Sequence, residues 1–205
     1  KTLEVEGILE NTLIIFSSDN GPVLNDGYYD DSDVKNLDHT PWGPFRGGKY
    51  SLFEAGTHVP FFTYWKGKIQ PGVSDAMVSQ LDILSSLAQL VGSDVRTEDS
   101  FPLMDLLMGK SDQGRDELVI EATSRTAFKK GDWVMIPPYE GPAVNEMVQI
   151  ELGNDSDFQL YNLAQDTGQQ NNLAESQPEK LKEMLTAFEA IRGDGYDKIQ
   201  NLELK

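Results

Sequence analysis

The chain has 205 residues, with 17 Lys and Arg against 34 Asp and Glu, a formal net charge of −17. So acidic a surface argues against nucleic-acid binding, because affinity for a phosphate backbone needs a basic patch. Hydrophobic residues make up 39% and aromatics 9%, enough apolar matter for a packed core. No apolar run approaches the roughly 20 residues that span a bilayer, so no membrane span is expected. With no cysteine, disulfides, thiolate metal sites and a cysteine nucleophile are excluded, and the compartment is left open. Position 1 is Lys, and no charged-then-apolar leader precedes the first structured residues, so the sequence reads as processed or as cut from something longer.

Residues 1–110 read as alternating β and α. The run Asn11-Thr12-Leu13-Ile14-Ile15-Phe16 is short, continuous and apolar, and Ser17-Ser18-Asp19-Asn20-Gly21-Pro22 closes it. That pattern predicts a buried parallel strand ending at a functional rim. The segment from Gly21 to Gly48 has neither helical nor strand period, and a loop of that length in a compact domain is usually functional. Val59 to Trp65 is the next strand. Val78, Leu81, Leu84, Leu87, Ala88 and Val91 then recur at helical spacing before Gly92, which predicts a helix with one core face.

Composition changes at Gly109-Lys110-Ser111-Asp112-Gln113-Gly114, so residues 111–205 form a second region. Leu118 to Ala122, Trp133 to Ile136, Met147 to Leu152 and Phe158 to Leu163 are strand-like pieces at hairpin intervals, predicting a small antiparallel sheet. Ser176-Gln177-Pro178-Glu179 has the spacing of a capping box. Leu181, Met184, Leu185, Phe188 and Ile191 make the apolar stripe of the helix that follows; Gly193 ends it, and the tail from Asp194 is polar and frayed.

Three places could carry chemistry. Asp19 and Asn20 follow an apolar strand, where open α/β sheets collect ligands, and offer the hard oxygens that Ca²⁺ or Mg²⁺ takes; an Asn-Gly turn with no ligand is the alternative. Two ligands do not complete a site. Arg46-Gly47-Gly48-Lys49 lets backbone and an ammonium approach an anion, with a solvated glycine turn as the alternative. Gly43 to Lys49 matches the start of a phosphate-binding loop, but Tyr50 follows in place of Ser or Thr and no strand precedes it, so that reading fails. His39, in the loop before Lys49, could donate to an anionic substrate, whereas His58 beside a strand reads as structural. No Ser or Cys stands in a nucleophile context, so no hydrolase triad can be argued.

Taken in order, Asn11 to Gly21, Arg46 to Pro60, Ser79 to Leu84, Glu98 to Pro102 with Gly109-Lys110, Lys130 to Trp133, Phe158 to Leu163 and Asn171 to Ala174 resemble the sulfatase (arylsulfatase-like) family. The resemblance runs from about Glu6 to Phe188. It implies an α/β fold: part of the large domain of an alkaline phosphatase-like enzyme over residues 1–110, then a small antiparallel sheet with a C-terminal helix over 111–205. It further implies that Asp19 and Asn20 ligate a Ca²⁺ that holds the sulfate, that Lys49 binds the sulfate ester near its leaving oxygen, and that His39 contacts substrate. The family's nucleophile, a formylglycine made within Cys/Ser-x-Pro-x-Arg, has no counterpart here, since Ser100-Phe101-Pro102-Leu103-Met104 has Met for Arg. The paired aspartates and the upstream lysine and histidines of the family are also absent.

The resemblance therefore implies the C-terminal fragment of a calcium-dependent sulfatase, inactive alone. Its intact parent would hydrolyse aryl or carbohydrate sulfate esters and be exported to the periplasm or secreted. Tyr50, Ala55 and His58 replace commoner residues of the family; His58 stands where many relatives carry arginine. A phosphodiesterase or phosphonate hydrolase of the same superfamily and a non-catalytic sulfated-glycan-binding module are the competing readings. If neighbouring strands are missing, the Leu13 and Val59 strands expose apolar faces and open edges, and the fragment would self-associate.

Overall fold

The computed structural model describes residues 1–28, 30–95 and 97–192. In chain order these form α1 (Thr2–Val5), β1 (Ile14–Ser17), α2 (Ser32–Lys35), β2 (Phe61–Tyr64), α3 (Asp82–Leu90) and α4 (Met104–Leu107). There follow β3 (Glu117–Ala122), β4 (Arg125–Lys130), β5 (Trp133–Ile136), β6 (Val144–Asn145), β7 (Ile150–Glu151), β8 (Gln159–Asn162) and α5 (Pro178–Arg192). Two compact units result, one from Lys1–Ser17 with Pro60–Asp116, the other from Ser18–Val59 with the chain from Glu117 onward. The loop bearing Asp19 and Lys49 thus groups with the C-terminal region, a grouping that a linear division at residue 110 does not contain.

In the first unit β1 pairs with β2 antiparallel, Phe16 opposite Phe62. The predicted parallel, buried strand is therefore corrected: among the described residues β1 has one partner, and Phe16 and Phe62 are each about half exposed, at 49% and 52%, stacked 4.8 Å apart. A continuous apolar run becomes a strand buried on both faces only when other layers cover both faces of its sheet, a condition that the run itself does not specify. Met104, Leu107 and Met108 form this unit's core with Leu13, Phe61 and Trp65.

Helix α3 reverses expectation. Its packed face is polar, Asp82, Ser85 and Ser86, while Leu81 and Leu84 are 55% and 50% exposed. The cause is the irregular segment that it packs on. Asp82 Oδ1 accepts from the Phe101 amide and Ser86 Oγ from the Leu103 amide, so the helix supplies acceptors to the segment's backbone, and Ser100 Oγ in return accepts from the Ser85 amide in the helix's first turn. Arg115 completes the arrangement with two bonds to the fully buried Asp82 carboxylate, at 2.8 and 2.6 Å.

The second unit is built on an antiparallel sheet of order β3-β4-β5-β8. Strand β4 has no counterpart in the predicted elements, because Arg125, Lys129 and Lys130 dilute its apolar signal. The expected strand from Met147 to Leu152 shrinks to β7, paired with β6. Alternation along the strands gives the sheet two apolar faces. Phe128, Met135 and Leu160 pack against Met184 and Phe188 of α5. Ala127, Val134, Ile136 and Tyr161 point the other way and pack against Leu52 and Phe53.

The helix stripe is as predicted at Met184 and Phe188, but the capping box is not formed: Ser176 Oγ donates to Leu173 O at 3.2 Å, and α5 begins at Pro178. Proline suits that first position because its missing N–H would have no partner there. Gly193 and the tail lie outside the described residues.

The face opposite α5 therefore carries residues 51–56, all buried. Glu54 ties them down: its carboxylate accepts from Lys129 Nζ of β4 at 2.5 Å and bonds His58 Nδ1 at 2.8 Å, and its amide donates to Gln169 Oε1 at 2.7 Å. Burial pushes the Glu54 carboxyl up, but the His58 bond and the Lys129 ammonium outweigh it and hold the group below its ordinary 4.5. A lowered carboxyl stabilises the fold above its unfolded value and loses that contribution as pH falls through the folded one. Glu54→Gln is expected to destabilise by about 3 kcal/mol at pH 7, the loss on breaking a buried pair, and the deficit is expected to shrink as pH falls below the ordinary carboxyl value toward the lowered folded one. Urea melts across pH 3 to 7 check this, and a deficit independent of pH would contradict it.

Candidate active site

The site lies wholly within the second unit, where two loop stretches are clasped together. The Gly21 amide donates to Gly56 O at 2.8 Å, and the Lys49 amide to Pro22 O at 2.9 Å. Both contacts need glycine. A Cβ on Gly21 would stand 1.7 Å from Ala55 O, and one on Gly48 would stand 2.6 Å from Pro22 O. The Asp19-Asn20-Gly21 turn and the Arg46 to Lys49 loop, distant in sequence, are thereby held side by side.

Arg46 anchors the loop to its surroundings. Its guanidinium makes a forked pair with Glu151 of β7, at 2.8 and 2.6 Å, donates to Gln169 O at 2.8 Å, and lies 3.9 Å from the centre of the Phe53 ring. The Glu151 bonds raise the Arg46 pKa and lower that of Glu151. With all three faces engaged, this arginine is a positioning group.

Lys49 and Tyr50 converge on one carboxylate. Lys49 Nζ reaches Asp26 Oδ2 at 2.5 Å, and the Tyr50 hydroxyl lies 2.8 and 3.0 Å from its two oxygens. The Lys49 bond, then that of Tyr50, lowers the Asp26 pKa, and the Asp26 bond raises that of Lys49. Tyr50 reaches this position with φ at +78°, a left-handed conformation that costs a non-glycine residue about 1 to 3 kcal/mol. In an extended backbone successive side chains would point apart; here they meet.

Of the predicted metal pair, Asn20 donates its amide Nδ2 to Gly21 O at 2.8 Å, which leaves Oδ1 as its accepting atom, and Asp19 is exposed beside it. The donor type fits a hard divalent cation, but two side chains with at most three oxygens fall short of the six to eight that Ca²⁺ takes. Among the described residues no cluster of three or more His, Cys, Asp or Glu could hold a metal. His39 is exposed, its amide bonded to Asn36 O, and no contact among the described residues brings it to Lys49. His58, bonded to Glu54 and stacked on Phe45 at 4.2 Å between ring centres, has the structural role expected of it. Asp26 and Glu151 are site residues that the sequence does not single out; Tyr50 stands out there only as a departure from pattern, and the positive φ that recruits it has no signature in its residue type.

Beside Gly47 opens a cleft of about 540 Å³, lined by Trp42, Phe45, Met147, Gln149 and Gln170 around the Arg46–Glu151 pair. Gln149 and Gln170 donate their amide N–H groups to Glu146 O and Gly168 O, so each carbonyl oxygen is left as an acceptor among the described residues.

The sulfatase family model matches residues 1–93. An N-acetylgalactosamine-6-O-sulfatase of Bacteroides thetaiotaomicron is 40% identical over 195 residues, 93% of this chain. This chain belongs to the sulfatase family. It spans 38% of that relative's length. Human arylsulfatase A is 36% identical over 114 residues, 55% of this chain and 21% of the relative. A solved structure from work on glycosaminoglycan metabolism by B. thetaiotaomicron superposes with a TM-score of 0.88 at 39% identity, covering 93% of this chain and 41% of that one. A Pseudoalteromonas sulfatase at 23% identity shares the fold, with a TM-score of 0.72 over 99% of this chain and 41% of its own. The architecture is accordingly that of part of an α/β sulfatase.

The glycine clasp can be tested without any activity. Gly21→Ala is expected to destabilise the protein by about 2 to 3 kcal/mol, because its Cβ meets backbone that cannot yield. Gly72→Ala, with nothing within 4 Å and no positive φ, should change stability by less than about 0.5 kcal/mol. Denaturant midpoints distinguish the two, and equal shifts would contradict the clasp.

Proposed function

We infer that the full-length protein carrying this chain hydrolyses carbohydrate sulfate esters. The observation that carries the reading is the convergence of Lys49 and Tyr50 as donors on a single anion, next to the Asp19-Asn20 turn and beside a cleft suited to a sugar. An aromatic wall with amide acceptors favours a saccharide over a plain aryl group, since the ring stacks and the hydroxyls donate. The relative that is 40% identical is named for 6-O-sulfated N-acetylgalactosamine, which makes that sugar the first substrate to try.

In this reading the Lys49 ammonium neutralises charge on the ester and its departing oxygen, a stabilisation that grows as negative charge develops there. Arg46 and the two glycines keep the lysine where the ester arrives. Asp19 and Asn20 are two oxygen ligands for a Ca²⁺, which would supply further positive charge at the sulfate. A formylglycine nucleophile belongs to the proposal through the family resemblance, and no residue of this chain provides it.

Lys49→Ala in the full-length protein is expected to lower kcat/KM by about 10² to 10³, the usual loss on removing one preorganised charge. Steady-state assays on 6-O-sulfated N-acetylgalactosamine, with aryl sulfate and aryl phosphate esters compared, check this. Near-normal turnover in the variant would remove Lys49 from the site, and turnover of the phosphate ester alone would make the protein a phosphate ester hydrolase.

A further inference from the structure

Tyr50 stands directly after the site lysine in a strained backbone conformation, φ +78°, and its hydroxyl meets the same carboxylate as Lys49 Nζ. Strain of this kind persists only where the surroundings enforce it, and here it turns two consecutive side chains toward one point. Two donors, one charged and one neutral, then converge on an anion with its charge spread over two oxygens. That is the recognition pattern for an oxyanion. The anion found there is the protein's own, from Asp26, in a segment without helix or strand, and its side chain is a quarter exposed.

We propose that Lys49 and Tyr50 form one two-donor site for the sulfate group, and that Asp26 is its resting occupant, which the ester displaces. The proposal rests on the sulfatase reading above, which supplies the ester. An anion approaching Lys49 while Asp26 is bound meets a neutralised pair. Once Asp26 swings into solvent, the same two donors pair with the sulfate and the displaced carboxylate is rehydrated, so no buried charge is left uncompensated. The pair thus lowers affinity for weak or misplaced anions and leaves the site open to one that also gains contacts in the neighbouring cleft. The lowered Asp26 and raised Lys49 pKa values keep both groups ionised across neutral pH, so the competition is between two anions throughout.

The test uses the full-length protein, with a sulfate ester as substrate and inorganic sulfate as competitive inhibitor. Asp26→Asn keeps the shape and removes the competing charge; KM and the sulfate inhibition constant are expected to fall by about threefold, as for loss of a part-exposed ion pair. The Tyr50 hydroxyl also bonds Asp26 in the resting state, so its contribution is read in the Asp26→Asn background, where adding Tyr50→Phe is expected to raise both constants roughly tenfold, with kcat changed less, because a charge-assisted hydrogen bond to the sulfate is lost. If Asp26→Asn lowers the melting temperature enough to spoil the comparison, Asp26→Ser removes the same charge.

Weaker or unchanged sulfate inhibition in the Asp26 variants would overturn the proposal and make Asp26 a positioning partner of Lys49. An unchanged inhibition constant on adding Tyr50→Phe to Asp26→Asn would also overturn it. Lys49→Ala separates the two levels: if it leaves turnover and sulfate inhibition intact, the sulfatase site itself is misassigned, whereas if it abolishes both while the Asp26 and Tyr50 variants behave otherwise than expected, this inference alone fails.

Discussion

The Glu54 carboxylate, buried at the centre of the second unit and bonded to Lys129 of β4 and to His58, is the contact through which a loop becomes a fixed surface. Without it, residues 51–56 would have only apolar packing to hold them to the sheet, and apolar packing is indifferent to small slides along a face. A charged pair with short bonds specifies one register. Gln169, accepting the Glu54 amide and lending its carbonyl to Arg46, passes that register to the loop before Lys49. The position of Lys49 is thus set from behind by the sheet, and from the side by the backbone bond to Pro22.

What this scaffold presents is an ammonium and a phenol aimed at one anion, with the Asp19-Asn20 turn held nearby and a part-aromatic cleft alongside. Each device is inexpensive in sequence. Glycine at 21 and 48 permits backbone approach, arginine at 46 engages three partners, and a left-handed Tyr50 brings neighbouring side chains together. Electrostatic complementarity of this kind acts only if the groups do not have to reorganise on binding, which is why so much of the second unit is devoted to holding one loop still.

Much of this was legible from residue order. The antiparallel sheet and the helix whose Met184 and Phe188 are buried follow from period, and the glycine loop that ends at Lys49 from motif. Other features depend on what packs against what. Helix α3 has a leucine face that any pattern argument turns inward, but the amides of Phe101 and Leu103 required acceptors, and Asp82 and Ser86 supplied them. Strand β4 is hidden by its charges, one of which, Lys129, proves to be the partner of a buried carboxylate. Asp26 lies in a stretch of Asn, Asp and Gly that reads as loop, and nothing in that composition indicates that it meets a lysine 23 residues on. His39 shows the converse: proximity in sequence to Lys49 did not become proximity in space.

The turn at Gly21 and the lysine loop form one rigid body with the small sheet. Amide hydrogen exchange tests it most directly, at the Gly21, Lys49 and Ala55 amides whose acceptors are Gly56, Pro22 and Arg46 carbonyls. Protection comparable to that of the β4 and β5 amides is expected, far above that of the exposed Lys35 to Thr40 segment. Exchange of those three amides at the rate of that segment, while β4 and β5 remain protected, would contradict it.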